Sequence, residues 1–497
     1  MERRMEPFAS SPSSGSRRSL TGIGGRGGAS LAPGRGVPAC ALRPPAAAPF
    51  TARATAQQRW DPGMALLCGF AVANPLIVQA YFYLLPETTI AGLSIPQLFQ
   101  GSAFLAAALI CLARGWKPMA LSTSLGRLAG LVGAASLLFL VRASLLRDRL
   151  TSGEGILVDV LFSSKIVFWA SAWWFLSIAV RREQDARRLL IAVVAGALLG
   201  ALVVIGCYVF DAGSISPYVQ AGVKASAGAT GVSGKQTASY LAIALIAAVY
   251  LGRRRRPWTS LAVALTLLTA VLLTYDRTAQ VALAAAAFWL LLWRVLLSNR
   301  RTTRQWSTRL LVLGGLSAIL LFSWVGFESL YIRWTSDFQK GQAGSGRLLM
   351  YQGAWNEYVH SSPTEILLGV GYTGVREAMI RQLKVKIHTH SDFFDLLLCG
   401  GIVGILLYLA IWHAVWLHFR KLSVGCAEYA AMGAMVAVYA VTSLITGQLE
   451  ATHAMFCLGA GLQSCRVMGG AETPLSAWVG PGPAPQAVHA PLVRRNK

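Results

Sequence analysis

Two imidazoles stand one residue apart in His388-Thr389-His390-Ser391, just ahead of a long apolar run that begins Phe393-Phe394-Asp395 and continues through Cys399-Gly400-Gly401-Ile402-Val403-Gly404. Histidine is the side chain whose ordinary pKa lets it exchange a proton near neutrality, so His390 is a candidate general base. In a continuous helix, eleven residues make about three turns, which puts His390 and Gly401 on one stripe, with Gly404 close to it. Small residues on such a stripe let a second helix approach closely. Thr389 or Ser391 would cap that helix, and its N-terminus would favour an anion. The His388/His390 pair has the form of a metal-binding H-x-H. No carboxylate or thiolate set accompanies it at ligand spacing, so no metal is expected.

Several other chemistries drop out. The chain has no D-x-D for a metal-bound nucleotide sugar, no H-E-x-x-H and no G-x-S-x-G. Gly228 to Lys235 approaches a nucleotide-binding P-loop, but Ala229 stands where its first Gly belongs and Gln236 follows the Lys. A nucleotide-driven enzyme is therefore not indicated, and no cofactor is expected.

The elements that must position these residues follow from composition. Of 497 residues, 55% are hydrophobic and only 13% charged, yet the formal net charge is +24. A soluble domain carries about 25% charged residues. A nucleic-acid-binding protein of this charge would not place so much apolar sequence in long runs, so no nucleic-acid partner is expected. What remains is an all-α polytopic membrane protein. Apolar runs of the length a bilayer requires recur at 64–85, 92–112, 120–141, 156–180, 189–210, 236–252, 258–275, 279–297, 310–330, 393–412, 427–447 and 454–466, about twelve spans within a helical domain at 64–466. Residues 1–63 carry nine Arg against three acids in a Ser/Gly/Pro/Ala-rich background. They read as a disordered basic tail, with a mis-assigned start or a targeting segment as alternatives. Residues 467–497 read as a flexible tail. Of the eight cysteines, six lie in or beside apolar runs and none forms a C-x-x-C, which makes them packing residues.

Basic clusters at Arg181/Arg182/Arg187/Arg188, Arg253 to Arg256, Arg300/Arg301/Arg304/Arg309 and Arg420/Lys421 fall in every second connection. The positive-inside rule sets those connections and both termini in the cytoplasm. The opposite side then holds one long loop, 331–392, where function is expected. Lys165, inside the fourth span, is expected to pair with Asp159 or to face a cavity. Trp173, Trp174, Trp258, Trp324, Tyr331, Trp412 and Trp416 read as an interfacial aromatic belt.

His390-Ser391, nine residues, then Gly401-Ile-Val-Gly404 resembles the H-[NSQ]-x9-G-x-x-[GTY] signature of the bacterial O-antigen ligase family. Upstream, Gly346-Arg347, Trp355 and Gly369-Val370-Gly371 are similar to the same family domain, and Tyr275-Asp276-Arg277-Thr278 resembles its Ser-Arg-Gly segment. The resemblance covers about 230–415. It implies a GT-C-type membrane glycosyltransferase of the bacterial inner membrane, with its site on the periplasmic side. Such an enzyme takes a glycan from undecaprenyl pyrophosphate. Ligases pass it to lipid A–core, polymerases to another lipid-linked glycan, and protein O-glycosylating relatives to Ser or Thr. A lipid or polysaccharide transporter is the rival from another class, although no internal repeat supports it.

Within that resemblance, His390 is the base that takes the acceptor hydroxyl's proton. Arg347 and Arg277 clamp the pyrophosphate, whose charge grows as the glycosidic bond breaks. Arg142, Lys235 and Arg376 are weaker contacts to pyrophosphate or glycan. Arg376, with Arg381, Lys384 and Lys386, also reads as a solvated or headgroup-facing surface. Gly401 and Gly404 serve helix packing.

Overall fold

A polypeptide inside a bilayer must pair its own amides and carbonyls, so apolar runs of this length fold as helices. The computed structural model describes residues 61–84, 89–90, 93–114, 124–145, 157–209, 232–252, 257–274, 276–294, 347–383, 388–449 and 451–470. Among the described residues, eight helices precede the long loop: α1 (Pro62–Leu84), α2 (Ile95–Ala113), α3 (Ser124–Leu145), α4 (Leu157–Ala179), α5 (Glu183–Val209), α6 (Val232–Gly252), α7 (Pro257–Leu273) and α8 (Arg277–Leu292). A short antiparallel ribbon, β1 (Thr89–Ile90) with β2 (Leu93–Ser94), links α1 to α2. The loop itself contains α9 (Arg347–Val359), α10 (Pro363–Leu368) and α11 (Gly371–Leu383). Three helices follow: α12 (Asp392–Phe419), α13 (Ala427–Ile445) and α14 (Thr452–Met468).

Five of these are long and apolar enough to cross a membrane: Ile95–Ala113, Asp159–Ala179, Glu183–Gly206, Asp392–Phe419 and Ala427–Ile445. Shorter apolar helices or segments occupy Pro62–Val78, Gly130–Phe139, Thr237–Gly252, Trp258–Leu273 and Arg277–Leu292. Each span read from hydropathy falls on a helix, except 310–330, which lies outside the described residues, as do most of the tail 1–63 and nearly all of the tail 467–497.

The helix α14 is the centre of the bundle. It packs against α4, α5, α6 and α13, and every residue from Thr452 to Arg466 is buried. Its small residues allow this. A Cβ at Gly459 would overlap the Trp173 indole, and one at Gly461 would overlap the Met435 thioether. Trp173 Nε1 donates to the Met455 carbonyl at 2.6 Å. Trp173 is therefore a core residue and not part of an interfacial belt: its N–H found a carbonyl inside the bundle. Trp258, by contrast, is exposed.

The helices alternate in direction, which gives the bundle two ends. One end gathers the close of α3, the starts of α4, α8, α12 and α14, and the loop helices. The other gathers the close of α4, α6, α8, α12 and α14. There Gln463 Nε2 donates to the Val180 carbonyl, Trp293 Nε1 to the Val424 carbonyl, and the Tyr250 hydroxyl to Glu428.

Candidate active site

The long loop is locked to the bundle through glycine backbone. The short helix α10 starts at Ser362, whose hydroxyl accepts from the Glu365 amide while the Glu365 carboxylate accepts from the Ser362 amide, with Pro363 in the first turn. It ends at Gly369, with φ +72°, facing Gly401, with φ +56°. A Cβ at Gly369 would overlap the Cys399 carbonyl, and one at Gly401 would overlap the Ile366 carbonyl. Backbone lies on backbone here, and the Val370 amide donates to the Leu398 carbonyl at 2.9 Å. Arg142, at the close of α3, donates from Nε to the Gly369 carbonyl at 3.2 Å. The two glycine segments singled out in the sequence, about thirty residues apart, are thus one junction.

This changes the reading of His390 and Gly401. Helix α12 is two helices joined at Gly401, whose φ/ψ are not helical. His390 precedes the helix in a left-handed conformation, φ +58°, the only positive φ outside glycine among the described residues. The common helical stripe expected for His390, Gly401 and Gly404 does not exist, because neither end of it is helical. Gly401 admits the loop rather than a spanning helix. Gly404 is crowded by the Leu396 carbonyl of its own bent helix. Ser391 occupies the cap position, but its hydroxyl makes no capping bond, nor does Thr389 supply one.

Two buried aspartates hold the His390 turn instead. Asp395 Oδ1 accepts from the Thr389 amide at 3.1 Å and the Thr389 hydroxyl at 2.7 Å. Asp392 Oδ1 accepts from the Gln448 and Leu449 amides at 2.6 and 3.0 Å, tying the turn before α14 to the start of α12. A residue with φ > 0 and a Cβ is strained, and it persists only where its surroundings over-determine it. Asp395 on one flank supplies that constraint.

His388 lies on the other flank. Its ring stacks on Tyr372 (centroids 4.2 Å apart), which stacks in turn on Phe162 of α4 (3.6 Å). Arg376 Nε donates to His388 Nε2 at 2.6 Å, so that nitrogen carries no proton. Burial, then the charges of Arg376, His390 and Lys165, hold the His388 pKa well below 6.5. The ring is a neutral acceptor that aims the guanidinium. Asp159, at the start of α4, caps α11: it accepts from the Tyr372 and Thr373 amides at 2.7 and 3.0 Å and from the Thr373 hydroxyl.

The remaining cations join the same end. Asp276 caps α8 by accepting from the Thr278 amide at 2.9 Å, which sets Arg277 in the first turn. Arg347, opening α9, donates from Nη1 to the Thr278 hydroxyl at 3.3 Å. One turn on, Tyr351 feels the charges of both Arg347 and Asp395, and its hydroxyl donates to the Leu444 carbonyl at 3.1 Å. Arg277, Arg347, Tyr351, Asp395, His390, His388 and Arg376 therefore share one end of the bundle, tied by the Arg347–Thr278, Thr389–Asp395 and Arg376–His388 hydrogen bonds. Lys235 lies in the first turn of α6, and its side chain is outside the described residues. Asp159, Asp395, His388 and Tyr372 carry much of the geometry without having been marked as site residues. Among the described residues no group of three or more His, Cys, Asp or Glu side chains is placed to hold a metal ion.

Such an end, with an imidazole beside several guanidiniums, can take a proton from a hydroxyl and hold a phosphate-bearing partner. Residues 261–409 match the O-antigen ligase family model. The match runs from within α7 through most of α12, including Arg277, Arg347, Arg376, His390 and both glycine segments. It supports the resemblance to the O-antigen ligase family read from the sequence. No curated protein matches the chain.

Proposed function

We propose that the chain is an O-antigen ligase: it transfers a glycan from undecaprenyl pyrophosphate to a hydroxyl of lipid A–core on the periplasmic side of the inner membrane. The observation that carries this is the His390 turn, a left-handed backbone whose neighbour Thr389 is held by Asp395, at the end of the bundle where Arg277, Arg347 and Arg376 also lie. His390 takes the proton of the acceptor hydroxyl as its oxygen attacks the anomeric carbon, and the bond from that carbon to the pyrophosphate oxygen breaks. The electron pair leaves with the lipid pyrophosphate. Arg347 and Arg277 offset the charge that builds there, as permanently charged, bidentate donors. Arg376, oriented by neutral His388, is a further contact to the pyrophosphate or glycan, and Arg142 and Lys235 are weaker ones. No metal or nucleotide takes part in this scheme.

The architecture proposed is a GT-C-type bundle of about twelve spans with both termini cytoplasmic. The basic connections Arg181/Arg182 and Arg420/Lys421 lie at the end opposite His390, in accord with the positive-inside rule. The test is transfer by the purified protein from an undecaprenyl-pyrophosphate glycan, offered either lipid A–core or a second lipid-linked glycan. Transfer to lipid A–core is expected, and its loss in His390→Ala with normal membrane insertion. Transfer only to the second glycan would make the protein a polymerase. Near-normal transfer by H390A would remove His390 as the base.

A further inference from the structure

At the end of the bundle away from His390, three cationic side chains, Arg466, Arg420 and Lys421, lie near the buried imidazole of His418. Arg466, in the last turn of α14, is only 5% exposed, yet among the described residues no hydrogen bond or ion pair reaches its guanidinium. His418, near the close of α12, is 1% exposed. Its Nδ1 donates to the Ala414 carbonyl at 2.8 Å, and its Nε2 has no partner. Lys421 lies in the connection that follows. Burial, then the charges of Arg466 and Arg420, lower its pKa, so the cations are close enough to repel one another. Glu428, at the start of α13, accepts from the Tyr250 hydroxyl at 2.7 Å. The closing turn, Gly469, packs on Leu422 and Glu428, which brings α12, α13 and α14 around this spot.

A buried guanidinium without a counter-charge is costly, and a neighbouring lysine and arginine add to that cost. A helix bundle does not build such a cluster for stability. The shape of the unused donors specifies what would relieve it, because a guanidinium matches a phosphate through two parallel N–H bonds and an ammonium adds a point charge. Basic recesses between membrane helices near a bilayer surface hold phospholipid headgroups in this way.

We propose that Arg466 and Lys421, with His418 lining the recess, form a binding site for a phosphate group between the ends of α12, α13 and α14. It is separate from the His390 end, since the length of α14 lies between them. The phosphate belongs either to an anionic lipid headgroup or to a soluble anion, and the two sources are separable by experiment.

The full-length protein would be placed in nanodiscs of phosphatidylcholine alone, of phosphatidylcholine with phosphatidylglycerol, and of phosphatidylcholine with added inorganic phosphate. The readouts are thermal unfolding and the lipids retained in native mass spectrometry. A rise in unfolding temperature with phosphatidylglycerol, and its retention one to one, assigns a lipid headgroup. A rise with inorganic phosphate alone assigns a soluble anion. In Lys421→Gln, which alters an exposed side chain and leaves the fold intact, the apparent affinity is expected to fall about tenfold, the effect of losing one charged contact. Arg466→Gln is expected to abolish the gain. If neither phosphatidylglycerol nor phosphate moves the wild-type unfolding temperature, or if the gain survives unchanged in K421Q, the site does not exist.

Discussion

Asp395 accepts two bonds from Thr389, so replacing it strands two buried donors at once. Asp395→Ala should cost about 1–3 kcal/mol of stability and release the His390 backbone from its left-handed conformation. Glycan transfer should fall more than donor binding does, and equal losses of both would argue against a positioning role. His388 yields a pH prediction. Its pKa is lowered in the fold, so between that value and 6.5 the unfolded chain binds a proton that the folded one does not. Stability then rises with pH and is lost as pH falls below about 6.5. Thermal unfolding across pH 5 to 8 should show a steeper acid loss in the wild type than in His388→Asn, and parallel curves would refute this. At this scale the sequence marks His390 and the arginines by type and spacing. It hides Asp159, which meets α11 across 213 residues, because no local pattern announces a contact that far along the chain. It also presents His388 as half of a metal pair, when its role is to accept from Arg376.

Helices are the level the sequence states most openly. A bilayer requires long apolar runs, and hydropathy finds each described helix outside the long loop, with its ends up to seven residues off. The three loop helices α9, α10 and α11 escape because they are short and mixed in polarity, and only their packing against α3, α4 and α12 makes them helical. Helix α12 was legible as a span but not as a bent one. A glycine within an apolar run is as compatible with close packing as with a break, and only the approach of Gly369 decides between them. Gly401→Ala should cost about 1–2 kcal/mol for the left-handed conformation alone, and more for the overlap with Ile366. A lowered unfolding temperature in detergent, with loss of transfer, is expected. A neutral substitution would mean that the bend is not required. Gly369→Ala strains the same junction, so the double variant should fall short of the sum of the two.

The described residues form a bundle around a buried, small-residue helix, with the candidate site at one end and Arg466, Arg420 and Lys421 at the other. Reporter fusions check its orientation. A cytoplasm-dependent fluorescent protein joined after residue 497 should be active, and a periplasm-dependent phosphatase inserted within the 384–387 connection should be active as well. The reverse pattern would place His390 in the cytoplasm. The charge of +24 looks at first like a binding surface, but most of it belongs to the tails and to the connections of the second end. The bend at Gly401 has a mechanical meaning for the assembly. A broken helix normally leaves carbonyls unpaired and behaves as a hinge. Here the freed Leu398 carbonyl is taken by the Val370 amide. The break is splinted, and the loop rides on the spanning helix as a fixed shelf. The height of that shelf relative to the His390 turn is set by main-chain geometry, so the surrounding side chains can vary without moving the floor on which they stand.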